Sequence, residues 1–251
     1  MDTLESGSTV MPIAVITGAG KRVGRAIALE LGAAGFDLVV HAHSSTDELS
    51  TLINELKGMG RTAWPLTSGL AHAEEQDRFA DAVIARAPII EALIHNAGIY
   101  ERQPFAETTR ANLERMMQIN LEAPFFISQR LLPALQLGRD PCIIHLTDSA
   151  TERPYAAHAP YFISKAALEN LTRSLAAELA PLIRVNAVAP GTVLFPPGLD
   201  AATRESITAA IPLQRIGNEK DVALAVRYLV VDAPFVTGQT IAVDGGRSFA
   251  P

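Results

Sequence analysis

The chain has 251 residues, 48% of them hydrophobic, and a formal net charge of −6 from 27 acidic and 21 basic side chains. That length buries one substantial core, so a single α/β domain is expected; the acidic balance and the lack of a basic block exclude the electrostatic footprint of a nucleic-acid binder. A small molecule is the expected partner.

The one cysteine, Cys142, sits in an apolar run, which excludes an intrachain disulfide and a cysteine-rich zinc site. Asp2 and Glu5 stand where a secretory signal needs positive charge, and no run approaches the ~18 apolar residues of a membrane span. A cytoplasmic protein without a membrane segment is therefore expected. Residues 1–11 are expected to form a disordered extension, with one catalytic domain over 12–251.

From the first methionine-flanked run onward, short Val/Ile/Leu-rich segments alternate with segments of helical period. In chain order the pattern predicts a strand over Ile13–Thr17, a helix over Arg22–Ala34, a strand over Phe36–His41, a helix over Asp47–Met59, and a strand over Thr62–Thr67. A helix over Ala73–Ala87, a strand over Ala92–His95, a helix over Thr109–Gln136 and a strand over Cys142–Thr147 come next. The series closes with a helix over Pro160–Ala180, a strand over Arg184–Ala189, a helix over Glu219–Val231 and a strand over Thr240–Val243. This rhythm predicts a doubly wound parallel sheet of the Rossmann type, seven strands wide, with helices on both faces. Thr192–Pro212, with Pro196, Pro197, Gly198 and Pro212 round a short helical segment, is where a substrate lid would sit.

The first strand runs into Thr17-Gly18-Ala19-Gly20-Lys21-Arg22-Val23-Gly24, where a helix begins. A strand, a glycine turn and a helix start aim free N–H groups and the helix dipole at one spot, which suits a pyrophosphate; a tight βα turn without a ligand is the plainer alternative. An NAD site normally carries an acidic residue about 20 positions further on, for the ribose 2′-hydroxyl. Here the second strand ends in Val40-His41-Ala42-His43-Ser44-Ser45, with no carboxylate before Asp47. His43, Ser44, Lys21 and Arg22 suit a 2′-phosphate, so NADP(H) is the expected cofactor. The plainer alternative leaves His41 and His43 sharing a strand face and the two cations solvated. An His-x-His pair lacking further ligands does not make a metal site.

Tyr161 and Lys165 lie four apart at the start of a helical segment, on one face. A nearby ammonium favours phenolate and is expected to lower the phenol pKa, making Tyr161 usable in proton transfer.

Taken in order and spacing, Thr17-Gly18 to Gly24, Asn96-Ala97-Gly98, Asn120, Tyr161-x-x-x-Lys165, Pro190-Gly191 and Thr237-Gly238-Gln239 to Asp244-Gly245-Gly246 resemble the short-chain dehydrogenases/reductases over essentially Pro12 to Phe249. The resemblance implies a catalytic set of Asn120, Tyr161 and Lys165, with Asn120 positioning a proton-relay water. It implies a cofactor site of Gly18, Lys21, Arg22, Val23, His43, Ser44, Leu70, Asn96, Ala97, Gly98, Tyr161, Lys165, Pro190, Gly191 and Val193. It also implies a homotetramer joined through the long helices and the C-terminal tail.

Three features sharpen the resemblance toward pteridine reductases and dihydromonapterin reductases. Arg22 replaces the second glycine of the turn, Asp148 stands thirteen residues before Tyr161 where the family has a serine, and Tyr100 follows Asn96-Ala97-Gly98-Ile99 where a pterin ring is stacked. An ionised carboxylate only accepts hydrogen bonds and repels a developing oxyanion, so Asp148 suits a nitrogen heterocycle better than a simple ketone. Asp148, Tyr161 and Tyr100 are thus the expected substrate contacts, Asp148 also joins the expected catalytic set as a proton relay to a ring nitrogen, and reduction of a dihydropterin-like C=N bond is the expected reaction. Alternatives are a keto reductase using Ser149, and a non-catalytic NADP(H) sensor. Gly98, often serine in pteridine reductases, and Gly69, commonly aspartate in the wider family, depart from the pattern.

Overall fold

A computed structural model describes residues 11–195 and 198–250. Most of the expected N-terminal extension, and Pro196 and Pro197 of the expected lid, fall outside the described residues. The strands are β1 (Ile13–Thr17), β2 (Asp37–Ala42), β3 (Ala63–Thr67), β4 (Ala92–His95), β5 (Cys142–Leu146), β6 (Arg184–Pro190) and β7 (Thr240–Val243). They form one seven-stranded sheet in the order β3-β2-β1-β4-β5-β6-β7, parallel throughout. The fold is the expected Rossmann-type arrangement in a single domain.

Strands buried on both faces need apolar residues in both registers, which is why β1, β4 and β5 read as near-continuous hydrophobic runs, broken only by the buried Thr17, His95 and His145. Ala14, Ile16, Ile94 and Ile144 face a core completed by α1 (Arg22–Ala33), α2 (Thr46–Gly58) and α8 (Glu219–Arg227). Val15, Leu93 and Ile143 face the other core, under α3 (Ala73–Ile84), α5 (Ala123–Leu135) and α6 (Ala159–Leu179). β3 carries Pro65 because it is an edge strand, where a missing N–H is tolerated.

The expected single helix over 109–136 is broken. α4 (Arg110–Met117) passes through a turn of π-helix, Gln118–Glu122, before α5 begins. Pro124 has no N–H to offer the Asn120 carbonyl, so the ordinary four-residue bond is lost at that position. The wider turn places Asn120 facing inward, almost wholly buried. The lid region contains α7 (Ala201–Ala209), capped by Asp200, with none of its residues buried. Among the described residues no helix is long and apolar enough to cross a membrane.

The chain winds outward in one direction from β1 and in the other from β4. Loops leaving these two strands therefore diverge, and a crevice opens at their C-terminal ends.

Candidate active site

One wall of the crevice is backbone. Gly18 sits at φ +69°, and a Cβ on Gly24 would lie 2.1 Å from the Gly18 carbonyl oxygen and 2.5 Å from Asn96 Nδ2. The Asn96 amide donates to the carbonyls of Thr17 (3.2 Å) and Gly18 (2.8 Å), and Thr17 Oγ1 accepts from the backbone N–H groups of Asn96 and Ala97 at 3.1 Å each. β4 thus clamps the turn leaving β1.

A second support comes from His41, which is buried. Gly18 N–H donates to His41 Nδ1 (3.3 Å), so the imidazole proton is on Nε2 and is given to the Ser68 carbonyl (3.0 Å). Burial pushes the His41 pKa down to about 4, which keeps the ring neutral in this role. The sequence signal for this support was the histidine at the end of a buried strand, which reads equally well as ligand or scaffold.

At the mouth of the turn, Arg22 is held in the left-handed region (φ 51°) and exposed, with no ion-pair partner among the described residues. Lys21 pairs with Glu48 on α2 at 2.6 Å, both side chains largely in solvent, where such a pair is weak and readily exchanged. His43 and Ser44 are exposed just past β2, whereas Leu70 is buried in the core beneath.

The other wall is made of side chains. Asp148 leaves β5 and Tyr161 lies in the first turn of α6; the Tyr161 hydroxyl donates to Asp148 Oδ2 at 2.7 Å, and Asp148 Oδ1 accepts from the Ala150 N–H at 2.8 Å. Lys165 reaches over the Tyr161 ring, 5.9 Å from its centroid, and donates to the Leu146 carbonyl at 2.7 Å. Burial pushes the Lys165 pKa down to about 8, and the Asp148 carboxylate partly opposes that shift. Tyr161 moves the other way from the expectation of a lowered pKa. Burial, then the Asp148 carboxylate, pushes it well above the ordinary phenol value. Burial disfavours the phenolate first, and the carboxylate that accepts the phenol's hydrogen bond adds to it. This setting favours the neutral phenol.

Asn120 spends its side chain on the frame: Oδ1 accepts from Ile99 N–H (2.9 Å), and Nδ2 donates to the Ile99 carbonyl and Ser164 Oγ at 3.0 Å each. It joins the loop after β4 to α6, and so fixes Gly98, Ile99 and Tyr100 opposite Tyr161. A cavity of about 170 Å³ separates the two walls, bordered by Val23, Asn96, Gly98, Tyr100, Tyr161, Lys165 and Pro190. At Gly191, the residue after Pro190, a Cβ would come within 2.6 Å of Asp244 Cβ. Val193 packs toward the core on the α1 side, with partial exposure.

The sequence profile of the family described as Enoyl-(Acyl carrier protein) reductase matches residues 18–248. The 3-oxoacyl-(acyl-carrier-protein) reductase of Staphylococcus epidermidis is 31% identical over 237 residues, covering 93% of this chain and 97% of that one. The dihydromonapterin reductase of Klebsiella pneumoniae is 34% identical over 248 residues, covering 93% and 95% respectively. The crystal structure of a blue fluorescent protein from a metagenomic library, in complex with NADPH, superposes with a TM-score of 0.87 at 31% identity, covering 94% of this chain and 97% of that one. The chain belongs to the short-chain dehydrogenase/reductase family. It is an oxidoreductase of the kind that uses a nicotinamide dinucleotide.

Set in that family, two departures acquire a physical reason. A Cβ at Gly69 would lie 2.3 Å from the Glu75 carboxylate, which caps α3 by accepting from the N–H groups of Ala71 (3.2 Å) and His72 (3.3 Å). The space of an aspartate side chain at 69 is thus filled from α3. At Gly98 a Cβ would sit 3.2 Å from Asn120 Oδ1 and 3.5 Å from Lys165 Nζ, so any larger residue would crowd the frame. Ser149 does not approach Tyr161 as Asp148 does. Its N–H donates to the Pro190 carbonyl (3.1 Å), and its hydroxyl lies on the Gly191 side of the loop, 3.5 Å from where a Gly191 Cβ would stand.

The sequence reading missed two aromatic positions. His158 stacks on Tyr100 (4.7 Å between centroids, 13° between planes), and Tyr155 meets both His158 (5.4 Å) and Phe162 (4.8 Å) edge-on. The only available signal was the aromatic spacing Tyr155, His158, Tyr161 ahead of a helix, which without a fold is indistinguishable from loop composition.

Proposed function

We propose that this chain is an NADP(H)-dependent reductase that delivers hydride to a C=N bond of a pteridine, of the dihydropterin, dihydromonapterin or dihydrofolate kind. The observation that carries the reading is the 2.7 Å hydrogen bond from Tyr161 to the Asp148 carboxylate. A carboxylate at the proton donor's elbow favours substrates that bring N–H donors and disfavours those that develop an alkoxide.

The residues present fit the dinucleotide. The cradle round Gly18 and Gly24 has no room for a Cβ, and the Arg22 guanidinium stands free at its mouth. Gly18, Lys21, Val23, Asn96, Ala97 and Gly98 would hold the phosphates and cleft side; Arg22, His43 and Ser44 the 2′-phosphate; Leu70 the adenosine side; and Lys165, Pro190, Gly191 and Val193 the nicotinamide ribose and amide. When bound, NADPH supplies the hydride. Tyr161 supplies the proton to the ring nitrogen, Asp148 accepts a substrate N–H and relays the replacement proton, Lys165 holds positive charge beside the phenol, and Asn120 orders the water path and the frame.

The similarity to 3-oxoacyl reductases supports a second reading, a keto reductase working through Ser149. NADPH oxidation with dihydrobiopterin, dihydromonapterin, dihydrofolate and an acetoacetyl thioester, run in parallel, separates the two. On the pterin reading Asp148→Ala lowers turnover of dihydropterins by about 10²-fold with cofactor affinity kept. A parent enzyme that prefers the thioester, or an Asp148→Ala enzyme as fast on dihydropterins, would move the assignment to Ser149. Loss of all turnover in the parent would favour an NADP(H) sensor.

The same reading includes a cytoplasmic homotetramer. Phe125, Phe126 and Ile163 are exposed along α5 and α6, and Phe235 and Phe249 are exposed near the C-terminal edge. Apolar patches of this kind suit self-association, and sedimentation at micromolar concentration tests it.

A further inference from the structure

The glycine turn after β1 and the stretch after β2 are packed together where the crevice opens. Ala19 N–H donates to the His41 carbonyl (2.6 Å), and a Cβ on Gly20 would stand 3.2 Å from Ser45 Cβ and 3.4 Å from Ala42 Cβ. In a dinucleotide fold the end of the second strand is where the 2′ position of the adenosine ribose is met. The charges brought to that corner are those of Lys21 and Arg22 from the turn, and of Asp47 and Glu48 from the first turn of α2.

The two cations stand in different states. Arg22 is exposed and forms no ion pair among the described residues, whereas Lys21 Nζ lies 2.6 Å from Glu48 Oε1. Both backbones of the pair are fixed, since Lys21 is the N-cap of α1 and Leu49, next to Glu48, is buried in the core. The side chains are 56% and 42% exposed, so the contact between them is weak and opens readily. Glu48 is not stranded when Lys21 leaves. It returns to water in the first turn of α2, whose Ser45 N-cap makes no side-chain hydrogen bond, and the free N–H groups and helix dipole there favour a carboxylate.

We propose that Glu48 is a specificity-determining residue of the cofactor site: it pairs with Lys21 until the 2′-phosphate of an incoming dinucleotide displaces it, so that the ammonium exchanges one anion for another. This rests on the NADP(H) reading of the same corner and adds the residue that sets how strongly the 2′-phosphate is preferred. A 2′-hydroxyl carries no charge and leaves the Lys21–Glu48 pair closed. NADPH meets the unpaired Arg22 directly and reaches Lys21 only by displacing Glu48, which makes that carboxylate a competitor of NADPH and not of NADH.

The test is fluorescence titration of the protein with NADPH and NADH, joined by calorimetric titration with adenosine 2′,5′-bisphosphate and 5′-AMP, which separate this corner from the nicotinamide side. The parent binds NADPH and the bisphosphate more tightly than NADH and 5′-AMP. Glu48→Gln keeps the shape of the side chain and removes its charge; it tightens NADPH and the bisphosphate about two- to fivefold and leaves NADH and 5′-AMP within about 1.5-fold of the parent. Lys21→Met weakens NADPH, and in that background Glu48→Gln no longer tightens it. In a parent that prefers NADPH, three results overturn the exchange while leaving the NADP(H) reading intact. Equal tightening of both cofactors places Lys21 on the pyrophosphate they share, a gain that survives in Lys21→Met shows that Glu48 acts by repulsion alone, and NADPH affinity unmoved by Glu48→Gln shows that it does not compete. A parent that binds NADH as tightly as NADPH overturns the reading and the exchange together.

Discussion

The two walls of the crevice are built from different materials. The β1–β4 wall is backbone clamped by neutral groups: glycines with no room for a Cβ, the Asn96 amide, and an uncharged His41. The β5–α6 wall is side-chain chemistry, with a carboxylate, a phenol, a buried lysine and a brace of aromatic rings. Backbone recognises what all dinucleotides share, whereas side chains can change one at a time without disturbing the sheet. On the proposed function, cofactor class is read mainly by the first wall and substrate class mainly by the second, with Asn120 and Lys165 at the seam between them.

The largest effect expected on that contrast is Tyr161→Phe. Ring shape and packing are kept and only the proton-carrying hydroxyl is removed, so turnover falls by roughly 10²–10⁴-fold while NADPH affinity stays near the parent value. Single-turnover rates and a fluorescence titration measure the two quantities, and a parallel loss of both would merge the walls into one unit.

Next in size is the acid response of the backbone wall. With its folded pKa depressed from 6.5 to about 4, His41 binds fewer protons in the folded state than in the unfolded one between those values. Its contribution is therefore fully present above pH 6.5 and is lost as pH falls through 4, about 3 kcal/mol over the window. His145, buried under α6 and depressed to about 3, acts in the same direction. Urea unfolding at pH 7 and pH 5 should show the loss, and His41→Asn, which keeps a neutral acceptor for Gly18 N–H, should flatten the slope. An unchanged slope would mean that the turn does not depend on a neutral imidazole.

The smallest effect sharpens cofactor choice. Arg22→Gly relieves the left-handed backbone yet removes the free guanidinium, so NADPH should weaken by roughly 1.5–3 kcal/mol and NADH little. Equal loss for both cofactors would show that Arg22 only shapes the turn.

Hydrophobic period and punctuation alone determined the seven strands, their alternation with helices and the position of the glycine turn, because a strand buried on both faces cannot hide its composition. The spacing of Tyr161, Lys165 and Asp148 was likewise legible, since four residues on a helix is one face and thirteen residues is a fixed offset in an ordered set of motifs. Tertiary structure alone decided the state of those groups. The Tyr161 phenol is raised and not lowered, because the fold buries it and then brings Asp148 from another element to accept its hydrogen bond. It also decided that Glu75 fills the space beside Gly69, that Pro124 opens the helix at Asn120, and that Tyr155, His158 and Tyr100 form one brace. Periodicity reports which face a residue takes, but electrostatics and packing depend on distances of a few ångströms between residues far apart in the chain, and only the folded coordinates fix those.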